Sequence, residues 1–295
     1  MNTAKLGLFF LVLPIGACGS SGSRVQTAHD LAGFFSPDSG QVSTADGAVT
    51  SGDGSAATTY VVYAHSDHVL YQIDLAAKQL TEVGPFKAPK VGTSEDVITD
   101  LAVAPTGTLY VVSKSTLYTA DPSDGHVTSI GKLSACGSDT VALTTTPDGN
   151  LYAGDHQGAF CKIDLSASPP TVLQVGTLGG GLALSGDLVA VGDGTMYGSA
   201  DKIGGSTKND LLVTIDPSTG SVIKTIGSSG YPQLYGVAFA MGQVFGFTHD
   251  GSGDVVTIDP KTGVGTLFNS FNDSSGKPIS FAGAGVNSMV APTIN

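Results

Sequence analysis

Five times along this 295-residue chain a short apolar stretch ends on an aspartate that is followed by a turn. The copies are Tyr71-Gln72-Ile73-Asp74, Tyr118-Thr119-Ala120-Asp121, Cys161-Lys162-Ile163-Asp164, Val213-Thr214-Ile215-Asp216 and Val256-Thr257-Ile258-Asp259, and the aspartates recur every 43–52 residues. A repeat of that length, made of short strands with no helical period, cannot bury its apolar faces alone and must stack against its neighbours. The spacing predicts an all-β propeller with one four-stranded blade per repeat.

The second repeat shows the expected unit. Ile98–Ala104 is an inner strand, Pro105-Thr106-Gly107 a turn, and Leu109–Ser113 a strand apolar on both faces, as a strand sandwiched between blades requires. Thr116–Asp121 returns, Pro122–Gly125 turns, and His126–Gly131 forms the outer edge. The third repeat follows with Val141–Thr145, Leu151–Gly154, Phe160–Asp164 and Val172–Gly176. The fourth reads as Gly181–Leu184, Leu188–Val191, Leu211–Asp216 and Val222–Gly227, and the fifth as Tyr235–Ala240, Val244–Phe247, Val255–Asp259 and Gly265–Phe268. The first lacks its opening strand: it starts with Tyr60–Tyr63, then Leu70–Asp74 and Leu80–Gly84. Gly285–Pro292 at the other end has the missing inner-strand pattern, so the closing blade should combine both ends of the chain and leave no open edge. The expectation is five blades, with six as the alternative if the insertion Gly194–Asn209 hides a degenerate repeat.

Aspartates in Asp216-Pro217-Ser218-Thr219-Gly220, Asp259-Pro260-Lys261-Thr262-Gly263 and Pro147-Asp148-Gly149 are expected to be turn residues rather than acid sites. Aspartate bonds its own backbone, proline presets φ, and glycine supplies positive φ.

At the N-terminus, Met1–Lys5 is short and polar, Leu6–Ile15 is apolar, and Gly16-Ala17 lead into Cys18. That apolar run is too short to cross about 30 Å of hydrocarbon, so residues 1–17 are expected to be a removable signal. Ile15-Gly16-Ala17-Cys18 resembles the lipobox of bacterial lipoproteins. The resemblance implies cleavage before Cys18, acylation of its sulfur and amine, and a membrane anchor. Glycine rather than aspartate at position 19 implies the outer membrane. Residues 18–58 are rich in Gly, Ser, Ala, Thr and Asp and are expected to be a flexible linker, with 59–295 as the propeller domain. The pair Phe34-Phe35 is unusual in such a linker.

A formal charge of −12 with only 13 Lys and Arg excludes an electrostatic footprint for nucleic acid. No cofactor is expected, and the chain is expected to be monomeric.

The pattern Ala-Pro-x-Gly-x-Leu-Tyr, followed by Ile-Asp-Pro-x-Thr-Gly, resembles bacterial NHL, YVTN and quinoprotein-like repeats over residues 58–292. Quinone-cofactor propellers, WD40 repeats and the sialidase Asp-box all use tryptophan, and this chain has none. Kelch repeats need a double glycine per blade, which only Gly179-Gly180-Gly181 and Gly204-Gly205 provide. Lactonase-type propellers hold a metal through acidic and Asn ligands on inner strands; here the candidates would be Asp100, Asp139 and Asn287.

Cys136 and Cys161 fall on the same face of the expected ring, one in the loop entering blade three and one just after a hairpin in it. A disulfide is the expectation, two buried thiols the alternative. Four histidines, His65, His68, His156 and His249, lie in or beside the same hairpin of blades one, three and five, accompanied by Asp67, Asp155 and Asp250. With the loop carrying Tyr231 they mark the candidate ligand face, although solvated turn histidines are the simpler expectation and no metal is expected. Asp250-Gly251-Ser252-Gly253-Asp254 hints at calcium but lacks glycine at position six and an acid at twelve of an EF-type loop. There is no Gly-x-Ser-x-Gly elbow, His-Glu-x-x-His or phosphate loop. The sequence therefore points to a lipid-anchored, non-catalytic binding or scaffolding module, with a propeller hydrolase or lyase acting at the channel mouth as the alternative.

Overall fold

The structure is a computed structural model that describes residues 61–133, 136, 139–205 and 208–287. The signal, Cys18, the linker and residues 288–295 lie outside the described residues.

Among the described residues every regular element is a β-strand. Apart from a small hairpin, Lys90–Val91 with Ser94–Glu95, they form five four-stranded antiparallel sheets. Blade 2 consists of Ile98–Val103, Leu109–Ser113, Thr116–Ala120 and Val127–Lys132 from the centre outward. Blade 3 is Thr140–Thr145, Leu151–Asp155, Ala159–Asp164 and Thr171–Thr177. Blade 4 is Leu182–Ala190, Met196–Lys202, Leu211–Ile215 and Val222–Ser228, and blade 5 is Leu234–Ala240, Gln243–Thr248, Asp254–Ile258 and Gly265–Ser270. Blade 1 takes Val61–His65, Val69–Asp74 and Gln79–Pro85 from the start of the domain, and its innermost strand, Gly283–Gly285, from the end. Each innermost strand packs on the next, blade 1 to 2 and onward through blade 5 back to blade 1, so the ring is closed.

The apolar core is distributed accordingly. Five clusters of buried side chains each straddle one junction between blades: Leu70 and Phe86 meet Leu101 and Val111, whereas Ala64 and Ile73 meet Phe245 and Phe247. Strands apolar on both faces are what such a two-sided burial demands.

The repeated aspartates are turn residues. Asp74, Asp121, Asp164, Asp216 and Asp259 each accept, through Oδ1, the amide N–H of a residue two or three positions on, at 2.8–2.9 Å. The hydroxyls of Ser123, Ser166 and Ser218, and next these N–H bonds, hold the Asp121, Asp164 and Asp216 carboxyls below the ordinary aspartate range, and the Lys261 N–H does so first for Asp259.

The outer edge has its own lock. Gly84, Gly131, Gly176 and Gly227 on the outermost strands of blades 1–4 touch the turn of the next blade. A Cβ on Gly176 or Gly227 would overlap the carbonyl oxygen of Thr219 or Thr262. Asn269 takes that place in blade 5, where Lys78 of blade 1 instead donates to the Phe268 carbonyl at 3.2 Å and lies 4.6 Å over its ring. Gly227→Ala should therefore cost about 1–3 kcal/mol by forcing two blades apart. Gly107→Ala, at φ 86° in open space, should cost only about 1 kcal/mol through backbone strain. Urea unfolding of both variants checks this; equal losses would show that the junction contact is not what makes Gly227 necessary.

Two expectations are corrected. Gly181–Leu184 and Leu188–Val191 are not two strands but one, Leu182–Ala190, with its register shifted between Leu184 and Leu188. The second strand of blade 4, Met196–Lys202, lies inside the segment read as an insertion, so that segment holds no sixth blade. The cause is Ser185-Gly186-Asp187, a bulge that aims Asp187 at the axis instead of making a hairpin turn. The closing strand pairs with blade 1 through Gly283–Gly285, two residues earlier than the expected start at Gly285, where only small residues fit against Asp100, His65 and Leu101; the expected continuation from 288 lies outside the described residues.

Candidate functional site

Strand registers place one residue of each innermost strand at the same level around the axis: Gly283, Asp100, Ala142, Asp187 and Gly236 in blades 1 to 5. Three small residues leave space for two carboxyls, both fully buried. Asp100 accepts the N–H groups of Leu101 at 2.8 Å and of Leu143, in blade 3, at 2.6 Å. Asp187 accepts those of Leu188 at 2.5 Å, Val237 of blade 5 at 2.7 Å and Ala284 of blade 1 at 3.4 Å. The two carboxyls also hydrogen-bond each other. Burial raises both above the ordinary aspartate value, and the Asp187 charge and then the mutual bond raise Asp100 further, so the pair keeps a proton more readily than two separate aspartates would. These acids are stitches across the ring.

His65 belongs to the same buried group. It is fully buried, its Nδ1 lies 2.8 Å from the Ser66 carbonyl, and its Nε2 has no partner. Desolvation holds its pKa down to about 4, with the backbone bond to Ser66 opposing and His249 adding to the depression. A Cβ on Gly283 would overlap both His65 Nε2 and Asp100 Oδ1, which explains glycine there.

Above this layer, on the face carrying the hairpins between second and third strands, the axis opens into a cavity of about 190 Å³. All five blades contribute to it. Its polar wall is made by Asp67, His156, His249, Tyr235 and the ion pair Lys114–Asp139 at 2.8 Å. Nδ1 of His156 lies 2.9 Å from the Leu184 carbonyl and that of His249 3.1 Å from the Phe281 carbonyl. A carbonyl only accepts, so both rings carry hydrogen on Nδ1, and in the neutral ring the lone pair is on Nε2. Tyr235 stacks on His249 at 4.8 Å and 17°. Ser185, at the edge of the cavity, donates to Asp210 Oδ2 at 2.8 Å, and Asp210 also accepts the Leu234 N–H at 2.6 Å. Burial pushes the Asp210 carboxyl up to about 6 against those two bonds.

The sequence-selected residues separate into groups. Asp67, His156 and His249 meet in the axial cavity; His65 and Asp100 lie in the buried layer. Asp155 is buried and caps its own hairpin by accepting the N–H groups of Gln157 and Ala159. Asp250 does the same with the N–H and hydroxyl of Ser252, and His68 is exposed. Tyr231 packs against Gly265, away from the axis. The simple picture of solvated turn histidines is corrected: His65 is fully buried, and His156 and His249 are half-buried and tied through Nδ1 to the Leu184 and Phe281 carbonyls. Asp100, Asp139 and Asn287 do not converge: Asp139 pairs with Lys114 at the mouth, while Asn287 bridges Val103 and reaches the Pro105 carbonyl at the opposite end of the innermost strand. Among the described residues, no group of three or more His, Cys, Asp or Glu is placed to hold a metal ion.

Asp187, Tyr235, Ser185 and Asp210 were not selected from the sequence. Asp187 had a signal: Asp187-Leu188-Val189-Ala190 repeats the pattern of Asp100-Leu101-Ala102-Val103.

Cys136 and Cys161 form a disulfide with a Cα–Cα distance of 5.7 Å. A loop of that size gives about 3 kcal/mol in the chain-entropy picture. The bridge is suited to an oxidising, exported environment.

No protein-family model and no curated protein matches this chain. Solved structures do resemble it weakly. A protein of unknown function from Bacteroides caccae is 11% identical, with 77% of this chain and 98% of that one covered, at a TM-score of 0.41. The Dos1 propeller is 14% identical over 71% of this chain and 60% of its own, at 0.42. Virginiamycin B lyase from Staphylococcus aureus is 12% identical over 71% of this chain and 66% of its own, also at 0.42. Scores this low add nothing to the case for the ring, which rests on strand order and on the packing of first blade against last.

Proposed function

We propose that the chain is a lipid-anchored module of the bacterial cell envelope that binds a partner or small molecule at the mouth of its axis, without catalysing a reaction. The observation that carries this reading is the 190 Å³ cavity to which all five blades contribute. Concave, partly apolar recesses with a few convergent polar groups are the usual form of a ligand site. Its one lysine is paired with Asp139, and its one serine is committed to Asp210 rather than to an imidazole base. The lipobox at Ile15–Cys18 and the disulfide support display outside the cytoplasm. Acylation of Cys18 would anchor the ring effectively permanently, since two or three acyl chains suffice where one does not.

The test has two readouts on the full-length chain. Cys18→Ala should move the protein from the membrane fraction to the soluble one. A His156→Ala/Tyr235→Ala variant should remain in the membrane, keep the wild-type melting temperature, and lose the partner that wild type retains from envelope extracts. Retention of the same partner by that variant would remove the axial mouth as the binding site.

A further inference from the structure

The carboxylate of Asp67 stands out among the charged groups at the axial mouth. Asp67 is half-buried on the hairpin following Val61–His65, and its backbone carbonyl accepts the Ile98 N–H at 3.2 Å, which fixes the hairpin. Among the described residues, no hydrogen-bond donor or cation is paired with its side chain. The other charges of the cavity, Lys114 and Asp139, neutralise each other. Asp67 thus leaves the mouth with an uncompensated negative charge. It stands beside two imidazoles that offer Nε2 lone pairs and a tyrosine ring whose face can stack on a cation. Among the described residues, Lys114 is the one Lys or Arg that lines the cavity, and it is paired with Asp139.

Asp67 also lines a second recess, about 250 Å³, between the hairpins of blades 5 and 1. Asp67 therefore forms part of the wall of both recesses. In the outer recess Asp273 accepts the N–H groups of Ser275 and Lys277, and the Lys277 ammonium offsets its charge. Among the described residues, Asp67 is the uncompensated carboxyl of both recesses.

Resting on the axial-site reading, we infer that this site takes an alkylammonium group. The ammonium sits in the axial cavity against Asp67, within a lining that also holds His156, His249 and the Tyr235 ring, and the chain that carries it leaves through the mouth. Three donors on a compact cation match one carboxylate and two imidazole acceptors. The same chemistry is carried by a free linear diamine and by a lysine side chain of a peptide, and the experiment separates them.

The full-length chain, with its histidines isotope-labelled, is titrated with cadaverine, with Nα-acetyl-lysine amide, and with 1-pentanol as a neutral probe of similar length. The His156 and His249 ring signals report occupancy. Saturable shifts are expected with one or both amines and not with the alcohol. Cadaverine alone would identify a free polyamine as the source, and the lysine derivative alone a partner's side chain. Asp67→Asn should weaken amine binding at least tenfold with the melting temperature unchanged, and Asp67→Glu should restore most of it. Equal amine affinity in Asp67→Asn would overturn the proposal. So would occupancy by the alcohol but neither amine, which would leave the axial site itself standing. Silence of both histidines toward all three probes would count against the axial site as well.

Discussion

Deleting residues 282–295 should unfold the ring rather than loosen it. The segment is short and its described side chains are small, so the effect does not come from apolar area. It comes from what Gly283–Gly285 completes. This strand pairs with Tyr63–His65, and the adjoining Ala282 N–H is held by the His65 carbonyl at 2.7 Å. Ala284 contributes an N–H to Asp187, and the strand packs against the innermost strands of blades 5 and 2. Without it, blade 1 has an open edge and the fully buried His65, Asp100 and Asp187 face solvent through the gap. Each orphaned buried group costs about 1–3 kcal/mol, and several are orphaned together. The expected loss is at least about 5 kcal/mol, which is comparable with the whole stability of many domains. Circular dichroism should show no cooperative melt in the truncated protein. A synthetic peptide of residues 282–295 supplied in trans should restore one, because the missing piece is a strand that can be added at an edge. A truncated protein that melts as wild type would mean the ring does not depend on closure.

Much of this architecture was legible because the repeat is carried by turn chemistry. Asp74, Asp121, Asp164, Asp216 and Asp259 mark the same corner five times, and an aspartate bonding the backbone just ahead of it is a local event that needs no tertiary information. Blade 4 was misread for the opposite reason. Ser185-Gly186-Asp187 looks like a turn, and only the axial partners of Asp187, Val237 and Ala284, reveal it as a bulge inside a strand. The site was half legible. Hairpin position selected His156, His249 and Asp67 correctly as one face, but direction could not be read: His65 turns into the core and Asp155 back onto its own hairpin. Tyr235 was invisible as a site residue because its sequence context, Leu234–Ala240, is simply that of an inner strand. The non-repeating polar residues are where the structure departs from its own pattern, and they are the ones that build the axis.

Asp187→Ala should be the most damaging single substitution on that axis. It removes the acceptor of three backbone N–H groups from three different blades and leaves the Asp100 carboxyl without its partner. Breaking a buried pair from one side costs about 3–5 kcal/mol. Asp100→Asn should be milder, at about 1–2 kcal/mol, because an amide still donates toward Asp187 and still accepts one of its two backbone bonds. The pair also fixes a pH dependence of definite sign. In the folded ring these carboxyls titrate above the ordinary value, whereas in the unfolded chain they lose their protons near pH 3.9, so above that pH the unfolded state binds fewer protons. Their contribution is complete below about pH 4 and declines as pH rises toward the folded-state pKa values. The turn aspartates act oppositely: their depressed pKa values favour folding above about pH 4 and cease to do so in acid. Asp100→Asn removes one titrating member of the pair and leaves the turns untouched. The stability difference between wild type and Asp100→Asn, measured by urea unfolding from pH 4 upward, should therefore shrink as pH rises. A difference that stays flat would show that no proton is held between blades 2 and 4.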